Sequence, residues 1–280
     1  MQFDVACTLS YAVSQPVTAL FNIRPAATAQ QRILHETLLL TPAIEVESMT
    51  IAPNGNRLDR ILLGAGTVRL DYRARVELDV HRFDPDSVAE CPPAALPMDI
   101  LDDLMASRYC EADRFANLAH KLFAGIPPGH TRVTAICNWI NENLDYRPGS
   151  SDAHTSAIDT LTDRAGVCRD FAHVGISLCR ALGIPARFAS SYAFGLDPPD
   201  FHAVFEAWLG DRWYLFDPTR QAALDGLVRI GVGRDAAEVA FANFWGGPVE
   251  PLDMQVSIVR SDGGVEDATR TTDAVSVAAA

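Results

Sequence analysis

The chain has 280 residues, of which 48% are hydrophobic and 21% are charged, proportions typical of a soluble globular protein with one large or two ordinary domains. Its net charge of −13 argues against binding to nucleic acid or to an anionic membrane surface. No apolar run approaches the roughly 18 residues of a membrane helix, and no basic segment precedes an apolar one at the N-terminus. We therefore expect a cytoplasmic protein.

The six cysteines are scattered, and none belongs to a CxxC pair or to a Cys/His cluster with zinc-ligand spacing. In a chain without a secretion signal they are expected to stay reduced, most of them as small core residues. The sequence predicts neither a metal ion nor another cofactor.

The first part of the chain, residues 1–90, is predicted to be a small β-sandwich. Turn-forming Pro, Gly and Asn residues separate strand-like runs at residues 3–13, 31–40, 44–51, 57–63 and 67–80. A proline-rich segment, residues 91–97, marks the expected domain boundary. No group of residues typical of catalysis falls in this part.

Helices and strands mix in the predicted second domain, residues 91–260. Helical spacing predicts helices at residues 111–123, 132–144 and 168–182, and aromatic-rich runs predict strands at residues 187–194, 201–209 and 213–216. The small polar residues 261–280 are expected to form a flexible tail.

Cys168 begins the last of these helices, directly after Gly166-Val167. Free backbone N–H groups and the helix dipole at that end favour a thiolate, and the same N–H groups can bind a developing oxyanion. Position alone does not separate Cys168 from a buried core cysteine such as Cys137.

The strands at residues 201–209 and 213–216 predict a β-hairpin around Gly210-Asp211. If these two residues form the turn, paired residue numbers add up to 421 and Asp217 lies opposite Val204. His202 and Asp217 then become diagonal neighbours on one face, within reach of a side-chain hydrogen bond. A shift of one residue would place them on opposite faces.

These three residue types predict nucleophilic catalysis. Cys168 would attack a carbonyl carbon, His202 would accept and return the proton, and Asp217 would orient the imidazole and stabilise its cation. Singly, His202 reads as an ordinary strand histidine and Asp217 as a turn residue; in combination with a cysteine at a helix start they indicate a catalytic centre.

The strings GVCRDFAH, ALGIPAR, DFHAVFEAWL and RWYLFDPTR resemble the core of the transglutaminase-like superfamily. Between about residues 96 and 248 the chain is most similar to bacterial cysteine proteases of that superfamily with an N-terminal β domain. The resemblance implies a papain-like α+β fold, with the nucleophile helix packed on an antiparallel sheet, and places the family's catalytic residues at Cys168, His202 and Asp217.

Two features of related enzymes have no counterpart in the sequence. Thr162 stands six residues before Cys168, where papain-type enzymes have a glutamine, so the second oxyanion donor is unassigned, with Tyr192 and the Ser150-Ser151 loop as candidates. There is also no acidic calcium loop of the EF-hand type.

We therefore expect an enzyme that cleaves amide bonds of a peptide or protein through a Cys168 thioester. Transfer of the acyl group to an amine and a non-catalytic peptide-binding module are the alternatives. His130 and His154 are expected at the surface, and His173 is expected to be solvated or to support the site indirectly.

Overall fold

The computed structural model describes residues 1–263 and 273–277. Its strands are β1 (Gln2–Val13), β2 (Val17–Phe21), β3 (Gln31–Thr41), β4 (Glu47–Ile51), β5 (Asn56–Leu63), β6 (Gly66–Leu78), β7 (His81–Phe83), β8 (Asp145–Tyr146), β9 (Ala165–Gly166), β10 (Ala186–Ala193), β11 (Phe201–Leu209), β12 (Arg212–Phe216), β13 (Leu227–Gly233), β14 (Ala242–Trp245), β15 (Val249–Arg260) and β16 (Ala274–Ser276). Its α-helices are α1 (Ala116–Phe123), α2 (His130–Asn143), α3 (Ala157–Asp163) and α4 (Cys168–Ala181). No helix in the described part of the chain is both long and apolar enough to cross a membrane.

The N-terminal region is a sandwich of two four-stranded sheets, in the orders β15-β1-β6-β3 and β14-β2-β5-β4. Strict alternation of buried and half-buried residues along β1 shows why these sequences form strands, since every second side chain enters the core between the sheets. Both sheets contribute to one apolar cluster, so the prediction of an N-terminal β-sandwich is confirmed.

The predicted domain boundaries differ from the structure because the chain returns to the N-terminal sandwich. β15 pairs with β1, beginning with Phe3 opposite Arg260, and β14 pairs with β2. Residues 242–260 therefore complete the N-terminal sandwich, whereas the prediction placed them in the second domain, residues 91–260. The open edges of β1 and β2 are covered by these strands, which lie more than 200 residues away in sequence.

The prediction of a flexible tail is wrong for Ala274–Ser276, which form β16. This strand pairs with β7, and its residues are buried. Val275 and Val277 pack with Val204 and Leu215 in a small apolar cluster, so burial of valines holds the segment in place. The remaining predicted tail positions, 264–272 and 278–280, lie outside the described residues.

The second region is built on a four-stranded antiparallel sheet with the order β12-β11-β10-β13. Helix α4 lies against β11 through a close approach at Gly175, where an added Cβ would stand 2.6 Å from a ring carbon of Phe205. Helices α1, α2 and α3 also contact α4 and share its apolar core. The predicted α+β architecture, with the nucleophile helix packed on an antiparallel sheet, is confirmed.

Side-chain amides of the N-terminal region cover the free edge of β13. Gln31 donates to the Arg229 carbonyl at 2.7 Å and accepts from the Arg229 N–H at 2.8 Å. Asn56 makes the same pair of bonds to the backbone of Val232, at 2.7 and 3.0 Å. These buried amides replace the missing neighbouring strand, so the two regions meet through specific hydrogen bonds.

Candidate active site

Cys168 is the first residue of α4, as the sequence predicts, and it is only partly buried. Asp170 accepts a hydrogen bond from the Val167 N–H at 2.9 Å, which fixes the turn entering the helix. Gly166 is required there, because an added Cβ would lie 2.7 Å from the Cβ of Asp170. The local sequence thus presents the Cys168 thiol at a helix N-terminus.

The hairpin has the predicted register. Leu209 pairs with Arg212 and Phe205 pairs with Phe216, both with residue numbers that add up to 421. Gly210 adopts the positive φ of 61° that a tight two-residue turn requires. His202 and Asp217 consequently meet, with His202 Nε2 and Asp217 Oδ2 3.0 Å apart.

Asp217 is buried, 8% exposed, and its carboxylate is surrounded by donors. Oδ1 accepts from the Thr219 backbone N–H at 2.9 Å and from its hydroxyl at 2.7 Å. Oδ2 accepts from the N–H groups of Gln221 and Ala222 at 3.1 and 3.2 Å, in addition to His202. Burial alone would raise the pKa of Asp217, but these hydrogen bonds and the His202 charge lower it, so the carboxylate stays ionised.

His202 is 2% exposed and interacts with both Asp217 and Cys168. Burial opposes its protonation, but the hydrogen bond and the charge of Asp217, followed by interactions with the Cys168 side chain, raise the pKa of His202 to about 10. Because Nε2 faces Asp217, Nδ1 is the ring nitrogen left for the sulfur. This arrangement favours an imidazolium beside the thiol group at neutral pH.

Tyr146 also lies against Cys168, a contact that no sequence pattern indicates. Strand β8 pairs with β9 so that Tyr146 stands opposite Gly166, and its ring packs edge-on against Phe171 with centroids 5.8 Å apart. Burial raises the pKa of its phenol to about 12, with further contributions from the backbone and side chain of Cys168. A protonated hydroxyl therefore lies beside the Cys168 side chain and its backbone N–H.

The two predicted candidates for the second oxyanion donor make hydrogen bonds to other groups. The Tyr192 hydroxyl donates to the Ile23 carbonyl at 2.8 Å within the domain interface, and Ser150 donates to the Arg147 carbonyl at 2.7 Å. Both hydroxyl protons already have an acceptor. Tyr146 is better placed than either, but no periodicity or motif links it to a cysteine 22 residues later in the chain.

His154 is exposed as expected, His130 is not, and burial excludes the solvated alternative for His173 while leaving an indirect supporting role open. His130 is 7% exposed because its ring packs on Phe216, with centroids 4.7 Å apart. His173 is fully buried and accepts from the Ala236 N–H at 3.2 Å, so it is not solvated. The position of His130 beside a loop predicted exposure, but α2 begins directly after Gly129, whose φ is 120°, and its first side chain packs against Phe216 of β12.

The fold and the geometry define the class: an α+β protein with a cysteine at a helix start facing a buried histidine–aspartate pair on an adjacent hairpin. The family described as the transglutaminase-like superfamily matches residues 116–218, and the bacterial transglutaminase N-terminal domain matches residues 1–97. The chain belongs to the transglutaminase-like superfamily.

Three relatives are similar to the chain over different shares of its length. A "Putative Cysteine Protease" from Cytophaga hutchinsonii has 40% sequence identity and a TM-score of 0.91, covering 99% of this chain and 97% of that one. The uncharacterized protein ML0607 of Mycobacterium leprae is 35% identical over 142 residues, 46% of this chain and 50% of that protein. The uncharacterized protein Rv2569c of Mycobacterium tuberculosis is 33% identical over 120 residues, 37% of this chain and 38% of that protein. The chain thus matches half or less of the length of these curated relatives.

Proposed function

We propose that the protein is a cysteine-dependent amidase or protease that forms an acyl-enzyme at Cys168. The observation that carries this proposal is the buried His202–Asp217 pair, with Nε2 and Oδ2 3.0 Å apart, next to a partly exposed thiol at a helix N-terminus. The relative described as a "Putative Cysteine Protease", with 40% identity over nearly the whole chain, adds support.

In the first half-reaction the Cys168 thiolate attacks the carbonyl carbon of a peptide or other amide. The carbonyl electron pair moves to oxygen, where the Cys168 backbone N–H and the Tyr146 hydroxyl donate hydrogen bonds. The His202 imidazolium then gives its proton to the leaving nitrogen while the C–N bond breaks. The products are a free amine and a thioester on Cys168.

In the second half-reaction the neutral His202 accepts a proton from the incoming nucleophile as it attacks the thioester. Asp217 keeps the imidazole oriented and stabilises its cation at both stages, without itself being protonated. Water as the nucleophile gives hydrolysis, which we favour because of the cysteine protease relative.

One observation favours acyl transfer to an amine as the second candidate. Asp200 is exposed two residues before His202, and its charge acts on that imidazole. A carboxylate beside the site attracts the ammonium form of an amine, and transfer of a proton from that ammonium group to His202 would give the amine nucleophile.

A peptide library incubated with the protein, with and without a primary amine donor, separates these outcomes by mass spectrometry. Hydrolysis gives new termini, and transfer gives amine adducts at glutamine or at cleaved carbonyls. Cys168→Ala should abolish either product, whereas Cys91→Ala, which removes another partly exposed cysteine, should retain it. Equal product from Cys168→Ala and the wild type would refute the proposal, and no product from the wild type would favour a binding module.

A further inference from the structure

Asp217 stands at the start of a loop and not within a strand. Strand β12 ends at Phe216, and residues 217–223 lie outside any helix or strand. This loop supplies the backbone donors to the Asp217 carboxylate, which are the N–H groups of Thr219, Gln221 and Ala222. Loops are less rigid than the elements they connect, so the direction of these N–H groups depends on the contacts that hold the loop.

Helix α2 holds this loop through Asn141. The Nδ2 group of Asn141 donates to the carbonyls of Pro218 and Thr219, both at 3.2 Å. A trans peptide is planar, and its C=O and N–H groups point in opposite directions, so a bond that fixes the Pro218 carbonyl also fixes the direction of the Thr219 N–H. That N–H donates to Asp217 Oδ1 at 2.9 Å. Asn141 and the Asp217 carboxylate therefore bind opposite sides of one peptide group.

The next peptide group is fixed in the same way. Asn141 binds the Thr219 carbonyl, and the Arg220 N–H on the opposite side of that peptide donates to the Asp217 backbone carbonyl at 3.2 Å. Together the two peptide groups form a β-turn that begins at Asp217 and has proline in its second position. Arg220 then adopts a φ of 56°, in the left-handed region, which a non-glycine residue keeps only when its surroundings hold it there.

A second asparagine of α2 holds Arg220 itself. Asn138 accepts a hydrogen bond from the Arg220 guanidinium, and it lies three residues before Asn141, on the same side of the helix. Helix α2 packs against α4, which begins at Cys168, in an apolar core that includes Ile136, Ile140 and Phe171. The loop around Asp217 is therefore anchored to the same pair of packed helices that carries the Cys168 thiol, which gives the carboxylate and the thiol a common rigid support.

We propose that Asn141 is a positioning residue for the reaction proposed above, on which this inference rests. It acts through Asp217: by fixing two peptide groups it keeps the loop N–H groups directed at the carboxylate, and the carboxylate in place against His202 Nε2. Asn141 is exposed, so its loss leaves the core intact but lets the loop and the carboxylate move relative to the imidazole. Small displacements of this kind are costly in catalysis, where about 1 Å can lower the rate about 10²-fold.

Asn141→Ala and Asn143→Ala form a matched pair for steady-state kinetics. Both remove an asparagine near the end of α2, but Asn143 donates to the Trp139 carbonyl of its own helix, at 2.8 Å. We expect kcat to fall about tenfold in Asn141→Ala with KM within about twofold of the wild type, and both constants to be unchanged in Asn143→Ala. Because Asn141 acts through Asp217, Asn141→Ala should lower kcat less than about twofold in an Asp217→Asn background. Equal effects of the two alanine variants, or the full tenfold loss in the Asp217→Asn background, would overturn the proposal.

Exchange of the His202 ring N–H with water gives a second measurement that needs no turnover. NMR spectra of protein labelled with ¹⁵N-histidine report the exchange rate of the Nε2 proton that faces Asp217, which should be at least about fivefold faster in Asn141→Ala and unchanged in Asn143→Ala. Faster exchange in Asn141→Ala supports the positioning of Asp217 even if the wild type shows no turnover, a result that would refute the proposed function alone. Wild-type kcat and wild-type exchange in Asn141→Ala would overturn the positioning role and leave the proposed function intact.

Discussion

Strand β11 carries two buried ionisable side chains, His202 and Glu206, in very different surroundings. His202 pairs with one carboxylate beside a partly exposed thiol, whereas Glu206 lies between Arg187 and Arg229 at the interface between the two regions. The side chains of His202 and Glu206 are both almost completely buried. Burial and pairing are therefore common to both side chains, and what distinguishes His202 is the adjacent Cys168, to which we assign the nucleophilic role in the proposed function.

The distinction predicts opposite responses to substitution. Removing a charge from the His202 site should affect turnover more than folding, because its partners are local and Asp217 retains backbone donors. Removing Glu206 should affect folding more than turnover, because two guanidinium groups would remain buried without a counter-charge.

The largest expected effect is on turnover in Asp217→Asn. The amide has no charge to stabilise the His202 cation, and its NH2 group cannot accept from the N–H groups that now surround the carboxylate, so kcat should fall about 10³–10⁴-fold. The alkaline limb of the kcat/KM profile, expected near pH 10 from the His202 pKa, should move toward neutrality. Steady-state kinetics between pH 6 and 11 measure both changes, and an unchanged alkaline limb would contradict the role given to Asp217.

Glu206→Gln should lower the free energy of unfolding by about 3 kcal/mol while kcat changes little at temperatures where the protein is folded. The cause is the two arginines left without a carboxylate. Urea denaturation measures the difference, and Glu238→Gln is the matched control. Glu238 pairs with Arg234 at the surface, with side chains 41% and 48% exposed, so we expect no more than about 0.5 kcal/mol there.

Tyr146→Phe should lower kcat about 10²-fold with a smaller effect on KM, because a donor to the oxyanion is lost while the ring remains packed on Phe171. The urea midpoint of this variant should match that of the wild type. A change in KM alone would assign Tyr146 to substrate binding.

The smallest expected effect is on the pH dependence of the free energy of unfolding. The His202 pKa of about 10 lies above the unfolded value of about 6.5, so its stabilisation is complete below pH 6.5 and is lost as the pH rises toward 10. Because the pKa of Asp217 is lowered in the folded state, this group stabilises the fold at pH values above its unfolded pKa, and that stabilisation is lost as the pH falls. The wild type should therefore lose at least about 1 kcal/mol more than His202→Gln between pH 7 and pH 10. Parallel curves for the two proteins would contradict the charged pair.

The sequence predicted the start of helix α4 and the register of the hairpin correctly because both depend on neighbouring residues. The Gly210-Asp211 turn fixes the hairpin register, and a helix start places Cys168, so two of the three steps to the triad geometry follow from neighbouring residues. Bringing the helix and the hairpin together depended on family resemblance, since no local pattern encodes that contact.

Contacts between distant segments were not predictable in the same way. β15 reaches β1 across the whole chain, and Val275 is fixed by packing that only the folded sheet provides. Tyr146 is brought to Cys168 by the parallel pairing of β8 with β9, and strands of two residues are too short to show a periodic pattern in the sequence. These long-range contacts account for the errors in the domain boundaries and tail and for the missed tyrosine.

Iodoacetamide labelling across pH, quantified by mass spectrometry for each cysteine, tests the central claim most directly. Cys168 and Cys91 are both partly exposed, but only Cys168 stands beside His202, so Cys91 serves as the internal control. The account predicts that Cys168 reacts much faster than Cys91 at pH 6–7, and that His202→Ala removes this advantage. Equal labelling of the two cysteines, or a Cys168 rate that His202→Ala leaves unchanged, would contradict it.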